Sequence, residues 1–397
     1  MTLEYDFSHI MDYANDIMWS EWFWLPANVS WKDVGEMGQN VHSLSNVKCC
    51  LLVAIFLSLL RILLTSFFFT PVGLYCGLKM PSRNKIPSIP LLESVFSISR
   101  RPSKQTIESS SEVLKMDVKA IEFWFHRKRN MKKKPVITKF SESGWKFCFY
   151  TTMFVYGLYS LHDKSYLYDV RQTLIGYPKF EFPPEIYWYY MIEMAYYISE
   201  IFWIFYSVRR SDFVVLLVHH MATVGLMSFS LVIYHHRIGS LVLLLHDIAD
   251  CWMESAKMLK YLKRHQAAEW FFRIFVAVWI VTRLTYFPCW ILYTIWELQP
   301  PAMYGAYAII FFWLLLLQVM HIYWFYLILK IAVQIKTRGE EAKDCRSDSE
   351  TSDEILTVDG KLSRSISLNG IVPQLNVDVD QVISQRKQQS SKEFRQA

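Results

Sequence analysis

Leu245-His246-Asp247-Ile248-Ala249-Asp250-Cys251-Trp252-Met253-Glu254-Ser255-Ala256-Lys257 is the stretch on which the reading of this chain turns. Asp247, Asp250, Glu254 and Lys257 recur every three or four residues, so on a helix they form one polar stripe. His246 and Asp250 are also spaced as i, i+4 neighbours. Yet the stretch continues an apolar run, Leu241–Leu245, within a segment (239–259) long enough to cross a bilayer. An aspartate at the centre of a span costs about 2.5–3.5 kcal/mol, against about 0.3–0.6 kcal/mol gained per Leu or Val. Two aspartates cancel most of that apolar run, so this helix requires polar company inside the membrane. The preceding apolar segment (213–234) carries His219-His220, Thr223, Ser228 and Ser230 and is joined to it by a short turn. A helical hairpin with a shared polar site is therefore expected.

The rest of the chain fits a membrane setting. Of 397 residues, 53% are hydrophobic, 16% aromatic and only 20% charged, against about 45–50% apolar and about 25% charged in ordinary soluble domains. Apolar runs long enough to span a bilayer fall at 47–69, 145–161, 186–206, 213–234, 239–259, 271–296 and 304–331, which predicts an all-α, polytopic protein with about seven transmembrane helices. The first thirty residues lack a basic start and an apolar stretch, so the span at 47–69 is expected to act as an uncleaved anchor. Seven scattered cysteines without CxxC spacing argue against a disulfide framework or a cysteine zinc site.

Lys and Arg stay on the cytosolic side of short loops. Residues 79–146 are dense in them, including Arg127-Lys128-Arg129 and Lys132-Lys133-Lys134. Placing that stretch in the cytosol sets the N-terminus on the lumenal face, with Arg209-Arg210, Lys257–Arg264 and the tail after Lys336 inside. The sequon Asn28-Val29-Ser30 then falls on the side where glycosylation occurs.

Ionisable side chains in the middle of a span are functional candidates. Zinc or iron ligation by His and Asp is one chemistry to weigh, but adjacent histidines without HxxxH or HExxH spacing chelate one ion poorly, and no metal is expected. Acyl transfer suits the set better. A histidine can serve as general base or nucleophile, and a hydrogen-bonded carboxylate fixes its tautomer and stabilises its cation. The basic fringe at the cytosolic end (Arg209, Arg210 and Lys260, with Lys257, Lys263 and Arg264) suits an anionic headgroup such as that of coenzyme A.

His219-His220 with Gly225, Ser228 and Gly239, followed by Leu245-His246-Asp247, Asp250, Glu254 and Lys257, resembles the signature of the ceramide synthases, the Lag1-type members of the TLC-domain membrane proteins. Trp22-Phe23-Trp24-Leu25-Pro26 with Trp31 is similar to that family's lumenal start, and Asp344–Glu350 to its acidic serine segment, so the likeness runs from about residue 20 to 354. The resemblance implies an endoplasmic-reticulum N-acyltransferase that joins a fatty acyl-CoA to the amine of a sphingoid base, giving ceramide or dihydroceramide. Acyl-CoA would be a co-substrate, with no cofactor, and pairing with a second copy or a related synthase is expected. Carried over by position, the catalytic pairs would be His219, His220 and Asp247, Asp250. A histidine would deprotonate the amine or form a transient acyl-imidazole, and the aspartates would orient it. His246, Glu254, Lys257 and Arg283 are the expected substrate-binding residues. A lipid transporter or sensor without chemistry is the competing class.

The implied organisation is a lumenal segment (1–46), a first anchor (47–69), a cytosolic basic segment (70–138), a TLC domain of six spans (139–335) and a tail (336–397) whose Ser, Asp, Glu, Lys and Gln content predicts disorder. Within the basic segment, Trp124–Arg129 is similar to the reading helix of a homeodomain, a likeness many ceramide synthases share. Arg127 stands where that helix offers Asn to an adenine, and the stretch from Pro81 to Lys119 looks too short for a full three-helix domain with an arm. Nucleic acid is therefore not an expected partner; a folded cap or a patch on anionic lipid is. Ser347 and Thr351, each with Glu three residues on, are candidate phosphorylation sites. Glu193 and Glu200 share one helical face, and Arg273 and Arg283 are expected to point inward, with Pro288 kinking their helix.

Overall fold

The computed structural model describes residues 19–33, 44–80, 86–130, 134–177, 181–206, 212–298 and 304–338. The candidate phosphosites Ser347 and Thr351 and the headgroup candidates Arg209 and Arg210 lie outside them. The chain divides into two compact units, Met1–Met80 with Val136–Asp348, and Pro81–Pro135 with Ser349–Ala397.

The first unit is built of long helices: α1 (Leu44–Leu63, continued by π-helical Leu64–Phe69 and by Thr70–Tyr75), α5 (Val136–Leu161), α6 (Pro184–Tyr206), α7 (Phe213–Val232), α8 (His236–Tyr261), α9 (His265–Trp279, continued by π-helical Ile280–Leu292 and by Tyr293–Glu297) and α10 (Gly305–Arg338). Among the described residues, four helical stretches are long and apolar enough to cross a membrane: Val47–Tyr75, Phe213–Val232, His265–Glu297 and Gly305–Ile335. The chain is a multi-pass membrane protein. The other three long helices are lowered in hydropathy by Tyr, Lys, Glu and Asp. The helix expected over 145–161 begins at Val136, because Lys139, Glu142 and Lys146 extend an α-helix as readily as apolar residues do.

Helix α8 packs chiefly on α5 and α9, and only lightly on α7. The hairpin neighbour expected to satisfy its polar stripe is therefore not its main partner. Small residues allow close approach where the stripe is anchored. A Cβ on Gly157 of α5 would fall 2.8 Å from the Tyr189 hydroxyl of α6, and one on Gly239 of α8 only 1.7 Å from the Tyr190 hydroxyl. Tyr190 donates to the His236 carbonyl at 3.1 Å and accepts from Ser230 Oγ at 3.3 Å, tying α6, α7 and α8 together beside their turn.

Glu200 and Arg273, both singled out in the sequence, find definite places. Arg61 of α1 is buried and donates to Glu200 of α6 at 2.5 Å, while Lys146 of α5 reaches the other Glu200 oxygen at 2.8 Å. Arg273 does not point inward: it is exposed and paired with Glu269 at 2.6 Å, one turn back on α9. The disturbance expected at Pro288 takes the form of the π-helical run Ile280–Leu292, which absorbs the missing amide without ending the helix.

In the second unit the described residues form three short helices: α2 (Pro90–Ile98), α3 (Lys104–Leu114) and α4 (Val118–Asn130). This corrects the expectation that the segment lacks room for three. Pro opens α2, Ser103 caps α3 by accepting from the Thr106 amide, and Lys115 ends α3 in a left-handed conformation. Tight caps let helices of 9 to 13 residues fit. Leu92, Ile121, Trp124 and Phe125 form their core, so the hydrophobic half of the homeodomain-like motif is packing. Lys128 is engaged by Glu93, and Arg129 donates to the Arg100 carbonyl at 3.1 Å, which uses part of the basic cluster internally.

Candidate active site

The polar stripe of α8 is divided among three neighbours. Asp247, 1% exposed, accepts from the Tyr189 hydroxyl at 3.0 Å. Glu193, one turn along α6 from Tyr189, lies fully buried against Asp247, with Asp250 in electrostatic reach. Asp250 accepts from Arg283 Nη2 at 3.1 Å, and the same nitrogen donates to the His246 carbonyl at 2.9 Å. The Arg283 guanidinium also lies 4.1 Å from the ring centroid of Trp279. Glu254, buried, pairs with Lys257 at 2.8 Å on the same helix. A buried charge set this dense persists only with such pairing.

The two histidines of α7 diverge, as adjacent helical positions must. His219 meets Trp324 of α10 edge-to-face at 5.2 Å and presents its ring to a cavity. His220 turns toward Tyr197 at 5.5 Å, lies within electrostatic reach of Glu200 and Lys146, and does not line that cavity. The Nδ1 atoms of both lack a hydrogen-bond partner. The hydrogen bonds of Asp247 and Asp250 go to Tyr189 and Arg283, so the expectation that the aspartates directly orient the His219-His220 pair does not hold in this structure. The stripe's carboxylates meet Tyr189 of α6, Arg283 of the π-helical run and Lys257 of α8 itself.

His246 is placed differently from the other stripe residues. It lines the cavity, with Nδ1 2.6 Å from the Val242 carbonyl and Nε2 2.9 Å from Nε2 of His321 on α10. The one sequence signal of His321 is an ionisable group within an apolar span.

A cavity with about 610 Å3 of empty space, part of it open to the outside, lies between α6, α7, α8 and α10. His219 and His246 stand at one end, and Ser230, His235, Ile238 and Gly239 lie near the other, beside Ile295 and Ile310. The wall between is almost wholly apolar, with Leu226, Met227, Val242, Leu243, Leu314 and Leu317. An apolar lining of this kind matches an alkyl chain in polarity. Trp24 and Leu25, from the aromatic start of the chain, are buried in the same helical core, with Trp24 4.9 Å from Phe229. Asn28 is exposed. Lys260, at the far end of α8, is half-buried. Among the described residues no three His, Cys, Asp or Glu side chains are grouped to hold a metal ion.

The TLC domain family matches residues 139–330, which include every residue of this cavity. Fold and match together define a TLC-domain membrane protein. Human ceramide synthase 5 is 38% identical over 344 residues, covering 85% of this chain and 87% of the relative. Human ceramide synthase 3 is 35% identical over 339 residues, covering 84% and 87%, and ceramide synthase hyl-1 of Caenorhabditis elegans is 32% identical over 347 residues, covering 83% of each. The chain belongs to the ceramide synthase family.

Proposed function

We propose that this chain is a sphingosine N-acyltransferase of the endoplasmic-reticulum membrane, transferring the acyl group of a fatty acyl-CoA to the amine of a sphingoid base. The observation that carries the reading is an apolar cavity of alkyl shape whose polar end is made by His219 and His246. Family membership supports the same reaction. Seven long helices, the positive-inside charge pattern and the exposed Asn28 sequon support seven spans with a lumenal N-terminus and a cytosolic tail. Acyl-CoA enters as co-substrate, with Lys260 toward its phosphates, and no further cofactor takes part. The chain works as a dimer with itself or a related synthase.

In the transfer a C–S bond breaks, a C–N bond forms, and one proton passes from the amine to the departing thiolate. Of the two α7 histidines, His219 is the one at the cavity, so it meets the thioester carbon either as nucleophile or as base to the amine. His220 supports it from behind, between Tyr197 and the Glu200 ion pairs. The Asp250–Arg283 pair fixes α8 against the helix that follows, and Asp247 with Tyr189 fixes it against α6.

The cavity also gives a length. From His219 to Ser230 on α7, and from His246 to His235 on α8, is eleven residues, roughly 16 Å at about 1.5 Å per residue. With C–C bonds of about 1.5 Å in a zigzag advancing about 1.3 Å each, that accommodates an acyl chain of about 13 carbons. The test is amide formation by membranes expressing the chain, given a sphingoid base and a series of acyl-CoAs. Product should peak near that length and fall steeply for chains longer by eight carbons. Leu226→Trp, seven residues from His219 in the cavity wall, should move the peak several carbons shorter. No amide with any acyl-CoA from folded, inserted protein would refute the reaction and leave a non-catalytic lipid binder; an unmoved peak in Leu226→Trp would refute the cavity as the acyl site.

A further inference from the structure

Attack on a thioester moves negative charge onto the carbonyl oxygen, and in a cavity as apolar as this one that oxygen needs a hydrogen-bond donor from the wall. Most donors along the wall have their hydrogens committed elsewhere. Thr223 Oγ1 donates to the His219 carbonyl at 2.8 Å. Ser230, near the far end, has the Met227 carbonyl at 3.0 Å and the Tyr190 hydroxyl at 3.3 Å as acceptors, and Tyr190 donates to the His236 carbonyl. His235 Nδ1 lies 2.8 Å from the Ile233 carbonyl and His246 Nδ1 2.6 Å from the Val242 carbonyl, so each neutral ring spends its one N–H on the backbone. His219 is itself the base or nucleophile. Tyr197 is left: it lines the cavity, is only 4% exposed, and its hydroxyl makes no hydrogen bond among the described residues.

The helical period explains where Tyr197 stands. It follows Tyr189 and Glu193 at intervals of four along α6, on the face that meets Asp247. Its ring lies 6.3 Å from His219, edge-to-face, and 5.5 Å from His220. A reacting carbon sits about 3–3.5 Å from its attacker, and its oxygen about 2.7–3.1 Å from a donor. Rings at the His219–Tyr197 separation can serve one carbonyl from two sides. Glu193, Asp247 and Asp250 are within electrostatic reach of Tyr197, and Arg283, also within reach, is paired with Asp250. Charge building on an oxygen in that company is best held by a donor in contact with it.

We infer that Tyr197 is a catalytic residue whose hydroxyl donates a hydrogen bond to the carbonyl oxygen of the acyl thioester. The inference rests on the acyltransferase reading above. As the attacking nitrogen bonds to the carbonyl carbon, the C=O π pair moves onto the oxygen, where the Tyr197 O–H holds it. The pair returns as the C–S bond breaks and the thiolate leaves. The proton that the thiolate gains comes from the amine, so Tyr197 keeps its own hydrogen throughout. The same donor serves whether the attacking nitrogen belongs to the amine or to His219.

Tyr197→Phe deletes the hydroxyl and keeps the ring beside both histidines. Tyr190→Phe is the companion, a second cavity tyrosine whose hydroxyl is spent on the backbone. Full-length variants in detergent with added lipid are assayed for amide formation from acyl-CoA and a sphingoid base. Binding is measured for an S-alkyl-CoA thioether, which has no carbonyl oxygen, and for a trifluoromethyl ketone analogue of acyl-CoA, whose carbonyl takes up a nucleophile. Tyr197→Phe is expected to lose roughly 100- to 1000-fold in kcat, with KM for acyl-CoA changed less than about threefold. It should bind the thioether as wild type does and the ketone at least about tenfold more weakly. Tyr190→Phe should keep at least about a third of the wild-type kcat.

A loss of less than about tenfold in Tyr197→Phe would overturn the inference. Equal weakening of thioether and ketone would do the same, because it marks a hydroxyl that only shapes the cavity, as would an equal kcat loss in Tyr190→Phe. A wild-type protein that makes no amide with any acyl-CoA fails the acyltransferase reading and takes this role with it. Amide from wild type and Tyr197→Phe alike fails the inference and leaves the reaction standing.

Discussion

His219→Ala is expected to lower amide formation by about 100- to 10,000-fold, the usual worth of a positioned acid–base or nucleophilic group, while leaving the protein folded. Its ring lies at the cavity and its Nδ1 makes no hydrogen bond that the fold would miss. The thermal midpoint of the variant in detergent should therefore stay within about 2 °C of wild type, where a 1 kcal/mol loss shifts a large domain by about 2–4 °C. A companion measurement assigns the role. Protein incubated with acyl-CoA alone, then digested, carries an added acyl mass on the His219 peptide if an acyl-imidazole forms, and releases one equivalent of CoA. Without that mass, His219 acts as base to the amine. His219→Ala membranes that keep more than a tenth of wild-type activity would remove His219 from the chemistry.

The second large effect is on stability. Arg283→Ala should destabilise the protein by about 3–5 kcal/mol, because it leaves the Asp250 carboxylate buried without its partner. It also removes the hydrogen bond to the His246 carbonyl and the stack on Trp279. Arg283→Lys restores charge but neither the fork nor the planar stack, and should recover only part of the loss. Asp250→Asn, which keeps an acceptor and sheds the charge, should be less destabilising than Arg283→Ala. Thermal midpoints and protease resistance of the three variants check the order, and an unchanged midpoint in Arg283→Ala would refute the pairing as a structural element.

These expectations separate what the residues announced from what they did not. The stripe on α8 and the double histidine on α7 stood out because ionisable groups in apolar runs demand an explanation, and a period of three to four places them on one face. What pairs with them did not stand out. Tyr189 is one of many tyrosines on α6, and nothing local marks it as the donor to Asp247; only a Gly157 opposite, lacking a side chain, lets it reach. The sequence proximity of α7 and α8 suggested mutual satisfaction, but the carboxylates of α8 bond to Tyr189 of α6 and to Arg283 of the π-helical run instead. The start of α5 was hidden because Lys and Glu break a hydropathy run without breaking a helix. Three helices fit between residues 86 and 130 because Pro90 opens the first, Ser103 caps the second and Lys115 ends it sharply, signals invisible to hydrophobic counting.

The Arg61–Glu200–Lys146 cluster has a consequence for how the chain is made. Arg61 sits midway along the first apolar helix, while its counter-charge lies 139 residues later in the chain. At about 5–20 residues per second, synthesis takes on the order of ten seconds to deliver that glutamate. Throughout that interval the leading helix carries a guanidinium worth about 2.5–3.5 kcal/mol against release into lipid. It should therefore linger at the insertion machinery, or under a membrane chaperone, until α5 and α6 emerge. Nascent chains arrested before residue 200 ought to remain crosslinkable there, and Glu200→Gln should prolong the stay in the full-length chain.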